Sequence, residues 1–196
     1  HRSPGDLLPI RVTHLEPFGA FADVGCGVIS LLPIDAISVS RISHPRDRFH
    51  AGQFLPALIR QIDTAAGRIT LTHKELLGTW SENAAMFAPC QTVPGIVRSV
   101  EEYGIFVELA PNLAGLAEHR GDVNPGEGYS VYIKGITPER MKIKLNLIDP
   151  IEPGNAEAAP LQYFFPASDH MTYWRYSPES CPRRIETAFA KEEKPL

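Results

Sequence analysis

The chain has 196 residues, 43% of them hydrophobic and 21% charged, the balance of a soluble globular protein with enough length for two small domains with separate cores. A formal charge of -4 excludes a uniformly basic nucleic-acid binder, so any phosphate site has to be local. Cys26, Cys90 and Cys181 are too far apart for a disulfide framework or a zinc knuckle, and no apolar run reaches the roughly 18 residues of a membrane-spanning helix. The expectation is a cytoplasmic chain with reduced thiols, no membrane partner, no metal and no cofactor. It opens on His1, and "HRSPGD" reads like the middle of a connection, so a further upstream segment is expected.

In chain order, the first organised feature is a block of short strands that occurs twice. "EPFGAFADVGCGVISLL" superimposes on "EEYGIFVELAPNLAGLA" without a gap at an offset of 85, placing Val12, Phe18, Gly19 and Phe21 on Val97, Tyr103, Gly104 and Phe106. The repeat resumes at an offset of 74, where "IRQIDTAAGRITL" meets "IKGITPERMKIKL", so the second copy is 11 residues shorter in between. Apolar residues alternate with period two in "RITLT" and "KIKLN", and β-branched and aromatic residues crowd the aromatic block; both are strand signals. Gly19 and Gly104 interrupt their strands, which marks a bulge or a close backbone approach. With turn signals at Gly25, Gly27, Gly67, Pro111 and Pro138, each copy predicts a five-stranded closed barrel. The fold class is therefore all-β dominant, with a first barrel over 1–76 and a second over 91–149.

Between the copies, over 77–90, "TWSE" predicts a helix from Trp80 to Phe87, with Thr79 as N-cap, Glu82 returning the hydrogen bond and Pro89 ending it. After Asp149, "PIEPGNAEAAP" reads as a linker. The rest of the 150–196 extension is too aromatic for a disordered tail and is expected to pack on a barrel. Tyr163, Phe164, Phe165, Tyr173, Trp174 and Tyr176 are also the residue types that anchor interfaces, so 161–189 is the candidate segment for a protein partner.

The extra residues of the first copy include "SVSRISHPRDRFH", which gathers Arg41, His44, Arg46, Arg48 and His50 against Asp47 alone. A guanidinium can fork onto phosphate and stack on a base, so this loop is a candidate anion site. Arg60, Arg68 and Lys74, with Lys134, Arg140, Lys142 and Lys144 in the second copy, alternate with apolar residues on strands and are expected to point outward. Glu101, Glu102, Glu108 and Glu118 make the second copy's face look acidic, which predicts weaker binding there or a protein contact.

The "FGAF" and "YGIF" blocks, each followed by a small-residue turn and a Leu-rich strand, and the "GRITLTHK" ending together resemble the S-one (S1) RNA-binding domain, named after the largest protein of the small ribosomal subunit. The resemblance covers roughly 6–76 and 91–148, and the arrangement is similar to bacterial ribosomal protein S-one-like chains. It implies two tandem oligonucleotide-binding (OB) barrels that bind single-stranded RNA (mRNA or rRNA) in translation or RNA metabolism, with the ribosome as a possible partner. It also implies that the ligand crosses the middle strands at Phe18 and Phe21 in the first copy and Tyr103 and Phe106 in the second. An aromatic platform suits this task because every base has a π-face, and one stacked base contributes about 1–3 kcal/mol. On the residues alone these rings have two open roles, barrel core and base platform. Phe18 and Phe21 lie three apart and share a face only if Gly19 sits in a bulge. Pro33 and Glu118 stand where the family usually has a histidine.

The full set of expected RNA contacts is Phe18, Phe21, Arg41, His44, Arg46, Arg48, Arg60, Arg68, Tyr103, Phe106, Lys134 and Lys142. No catalysis is expected, because the acids are dispersed and no phosphate loop, zinc-protease motif or activated nucleophile is legible. His170 beside Asp169, with Cys181, is the nearest approach to a reactive group. The alternative function is a protein-interaction module at the ribosome or RNA polymerase, with little RNA affinity of its own.

Overall fold

The computed structural model describes residues 2–153 and 160–190. The linker expected over 150–160 falls mostly outside them. The chain divides into two compact units.

The first unit is built on five strands, β1 (Leu7–Glu16), β2 (Gly19–Asp23), β3 (Ile29–Pro33), β4 (Phe54–Asp63) and β5 (Arg68–Thr72), closed into a barrel in the order β1-β2-β3-β5-β4. Its pairs are antiparallel except β3 with β5. Period-two alternation turns Ile10, Val12, Ala20, Ala22, Leu32, Ala57, Ile59 and Leu71 inward, where all are buried. Each large aliphatic among them contributes roughly 1.5–3 kcal/mol by leaving water.

The second unit repeats this plan with β6 (Thr92–Glu101), β7 (Gly104–Ala110), β8 (Leu113–Ala117), β9 (Gly128–Thr137) and β10 (Lys142–Ile151), again a closed barrel with one parallel contact, β8 with β10. Val97, Ile105, Val107, Leu113, Val131, Ile133, Ile143 and Leu145 fill it. The two five-stranded barrels expected from the repeat are both present.

The intervening helix α1 covers only Trp80–Ala84, shorter than the expected 80–87. Its start is as read: Thr79 and Glu82 form a reciprocal capping box. It ends early because the next amides, of Met86 and Phe87, bond three residues back instead of four, tightening the last turn ahead of Pro89.

Of the C-terminal extension, Tyr163–Trp174 and residues 186–190 belong to the first unit and Arg175–Ile185 to the second. Strands β11 (Tyr173–Arg175) and β12 (Glu186–Ala188) pair as a small ribbon. In the first unit, the Phe164 amide donates to the Leu76 carbonyl, Tyr163 Oη lies 2.9 Å from His73 Nε2, and Phe189 is buried beside Leu58 and Leu76.

Candidate nucleic-acid interface

The first barrel presents its aromatic rings through a strand irregularity. β1 carries a one-residue shift between Val12 and His14, which leaves Thr13 outside the ladder and sets His14 opposite Phe21. The Thr13 hydroxyl ties the bulge down by donating to the Phe21 carbonyl at 3.1 Å. The bulge thus lies on the partner strand and not at Gly19, and Phe18, in the turn before β2, stands outside that strand's alternation. Gly19 serves the second function read from the sequence, close approach: a Cβ there would sit 2.5 Å from the Leu32 carbonyl oxygen.

Phe18 stands in the turn just before β2, 56% exposed, and meets half-buried Phe21 edge-on at 5.9 Å between centroids. The His14 ring stacks flat on Phe21 at 4.5 Å and 10°. The result is a platform of three rings, of which the sequence reading found two. His14 was missed because the repeat aligns it with Ser99 and only the bulge brings it over Phe21.

The loop between β3 and β4 is organised by its own polar groups. Ile34–Ala36 and Pro45–Asp47 form single 3-10 turns. His44 caps the second turn, its Nδ1 accepting from the Arg46 amide at 3.1 Å, while the Asp47 carboxylate accepts from Ser43 and His44. Asp47 is thereby used by the backbone. Arg48 points inward, its guanidinium donating to Ser38 Oγ at 3.1 and 3.2 Å, which makes it a strut of the loop. Arg41, Arg46 and His50 remain exposed. Arg60 on β4 and Arg68 at the start of β5 are exposed on strands, as the alternation implied, whereas Lys74 lies past the end of β5, opening the 3-10 turn Lys74–Leu77, and is half-buried. Among the described residues no hydrogen bond, ion pair or ring contact joins Arg41, Arg60 or Arg68 to the three rings.

The second barrel repeats the device. β6 shifts register between Val97 and Ser99, leaving Arg98 at the position that Thr13 holds in the first barrel. Tyr103, 71% exposed, meets Phe106 edge-on at 6.1 Å. These rings form one side of a cleft of about 470 Å³ whose other lining includes Lys134, Arg140, Lys142, Lys144 and, from the C-terminal extension, Arg183.

Of the acids expected on this face, Glu108 lies on the side of β7 that carries Phe106, opposite to inward Ile105 and Val107, but it is 5% exposed and paired through both carboxylate oxygens with Arg98 at 3.1 and 3.2 Å. Glu101 and Glu102 are exposed at the hairpin end outside the cleft, so Glu118 is the one acid on its lining. Against that single carboxylate stand five cations. Spacing places Glu108 on the face of Phe106 but gives no sign of its pairing, because Arg98 reaches it from the bulge of the neighbouring strand.

The residues considered for chemistry belong to different units. His170 pairs with Asp6 at 2.7 Å in the first unit, while Cys181 is buried in the second. Among the described residues no group of three or more His, Cys, Asp or Glu side chains could hold a metal ion, and no helix is long and apolar enough to cross a membrane. Of the tail aromatics offered to a partner, Trp174 and Tyr176 are buried, while Phe165 and Tyr173 remain exposed.

Residues 4–74 match the S1 RNA binding domain family. Small ribosomal subunit protein bS1 of Staphylococcus aureus (strain COL) is 32% identical over 155 residues, covering 73% of this chain and 39% of that protein. The bS1 protein of Leuconostoc lactis is 33% identical over 157 residues, covering 74% and 36% respectively. The chain therefore spans about two fifths of the length of these curated relatives. Among solved structures, one from the a/eIF2alpha-aDim2p-rRNA complex of Pyrococcus horikoshii OT3 matches 44% of this chain and 52% of its own at 19% identity, with a TM-score of 0.38.

Proposed function

We propose that this chain, a member of the S1 RNA-binding domain family through residues 4–74, grips single-stranded RNA on both of its barrels and acts in translation, as a relative of ribosomal protein bS1. The observation that carries the reading is the second barrel's cleft, where the Tyr103–Phe106 ring pair faces Lys134, Arg140, Lys142 and Lys144 across one concave surface. Rings take the bases and cations take the phosphates, which is the division of labour that single-strand binding requires. The first barrel offers the His14–Phe21–Phe18 platform, with exposed Arg41, Arg46, Arg60 and Arg68 elsewhere on the same unit as its supply of positive charge. The matching cleft position in the first barrel holds Arg60 and Arg68 where the second has Lys134 and Lys142, while Thr70 replaces Lys144. The second barrel is thus the stronger phosphate site, the reverse of the order suggested by formal charge. Nothing in the site calls for catalysis, and the reading is of a binding protein.

The test is fluorescence anisotropy of a labelled RNA of about a dozen nucleotides with the whole chain, its Phe18→Ala/Phe21→Ala variant and its Tyr103→Ala/Phe106→Ala variant. Each pair of rings should cost tenfold or more in affinity, since a stacked base contributes about 1–3 kcal/mol. Circular dichroism should be unchanged, because Phe18 and Tyr103 are largely exposed and their partners half-buried. Equal affinity in all three proteins would remove the rings from the site and the reading with them.

A further inference from the structure

We propose that Arg183, carried on the C-terminal extension and not on a barrel strand, is a phosphate clamp that completes the second barrel's RNA cleft. The inference rests on the reading of that cleft as an RNA site. It starts from position: Arg183 lines the same concavity as Tyr103, Phe106 and Lys142, although it is about 40 residues beyond the last of them in sequence. The repeat has no counterpart to it, so the strand-borne cations form one set and Arg183 is an addition from outside the barrel.

Its loop is built to hold a side chain still. Arg175–Ile185 belongs to the second unit and is fastened at its base by Tyr176, whose hydroxyl donates to the Asn112 carbonyl at 2.6 Å and whose carbonyl accepts from the Trp80 amide at 3.0 Å. The two ends of the loop are joined where the Tyr176 amide donates to the Ile185 carbonyl and the Ile185 amide to Ser177 Oγ. Inside it, Arg175 donates to the carbonyls of Ser177, Pro178 and Cys181, and Cys181 is buried. One arginine of the loop is thus used to shape it. Arg183 is at the exposed side of the same loop, with its fork available to solvent.

The chemistry fits a phosphodiester. A guanidinium presents paired N–H donors that match two phosphate oxygens, and a rigid anchor lowers the conformational entropy lost when that bond forms. A cation on a separate wall also contacts the strand from a direction the barrel lysines cannot, which is what turns a charged face into a grip.

The experiment compares Arg183→Ala, Arg183→Lys and Arg184→Ala with the wild type in the same anisotropy assay at several salt concentrations, with Tyr103→Ala/Phe106→Ala alongside. Arg184 is the adjacent cation, exposed but outside the cleft lining. Arg183→Ala should weaken binding about three- to tenfold and make the dependence of log K on log salt shallower by about 0.7, the loss of one single-strand phosphate contact. Arg183→Lys should keep the slope and lose part of the affinity, and Arg184→Ala should have the smaller effect. Equal losses for Arg183→Ala and Arg184→Ala would reduce the effect to overall charge and overturn the clamp. Unchanged affinity in Arg183→Ala with loss in the ring variant would overturn the clamp and leave the cleft reading in place. No change in either would overturn both.

Discussion

His73 is fully buried, with Nδ1 2.7 Å from the Ile37 carbonyl and Nε2 2.9 Å from the Tyr163 hydroxyl. A carbonyl can only accept, so Nδ1 carries the proton and Nε2 accepts from Tyr163, which fixes a neutral tautomer. Burial, with Arg48 nearby adding repulsion, lowers the imidazole pKa from 6.5 to about 4. The unfolded chain therefore takes up a proton below pH 6.5 that the folded one refuses. The stability contributed by His73 is complete above that pH and is lost as pH falls towards about 4, to the extent of about 3 kcal/mol. Glu75 works the other way: burial raises its pKa, so its contribution is complete below its ordinary value of 4.5 and declines as pH rises through the folded value. The two can be separated by following the His73 ring by NMR, where the signals of the Nδ1–H tautomer should persist to about pH 5. A midpoint near 6.5 would show that the ring is open to water. None of this was legible beforehand, since the histidine of "LTHK" gives no sign of a partner 90 residues away.

At the scale of the element, the bulge decides what the strands offer. In both barrels it lies in the first strand, at Thr13 and at Arg98, and it sets His14 opposite Phe21 and Ser99 opposite Phe106. The repeat showed where the rings are, and the glycines showed where strands approach closely. Neither showed the bulge, because a bulge is a property of two strands and the period-two pattern belongs to one. That is why Phe18, Phe21, Tyr103 and Phe106 could be named from the sequence while His14, and the Arg98 partner that covers Glu108, were missed. Arg48 and Arg46 likewise look equivalent in "HPRDRFH" and differ only because one reaches Ser38. The glycine reading gives the prediction at this scale. In Gly19→Ala the added Cβ would press on the Leu32 carbonyl and on Pro33, both backbone positions of β3, so the strands must part. Overpacking of this kind costs about 1–3 kcal/mol, and denaturant unfolding should show it in the first barrel's transition. A variant as stable as the wild type would mean that the β2–β3 contact is looser than the structure has it.

For the whole molecule, the formal charge of -4 means that RNA gains nothing from the average surface and depends on the cations gathered in one place. Each phosphate neutralised by a single-strand site contributes about -0.7 to the slope of log K against log salt. Lys134, Arg140, Lys142 and Lys144 in the second barrel's cleft then contribute about -3 to the slope, to which Arg183 adds about -0.7, steep for a chain of this net charge. Rings and cations should separate in such a measurement. Replacing Tyr103 and Phe106 with alanine removes stacking, which carries no counterions, so affinity should fall at every salt concentration with the slope unchanged. Lys142→Ala/Lys144→Ala should instead flatten the slope by about 1.4, and its loss of affinity should shrink as salt rises. Both lysines are exposed and alternate with buried Ile143 and Leu145, so the barrel core is untouched by the change. If the lysine variant kept the full slope, the phosphates would have to lie elsewhere, and Arg41, Arg46, Arg60 and Arg68 of the first unit would be the next cations to replace.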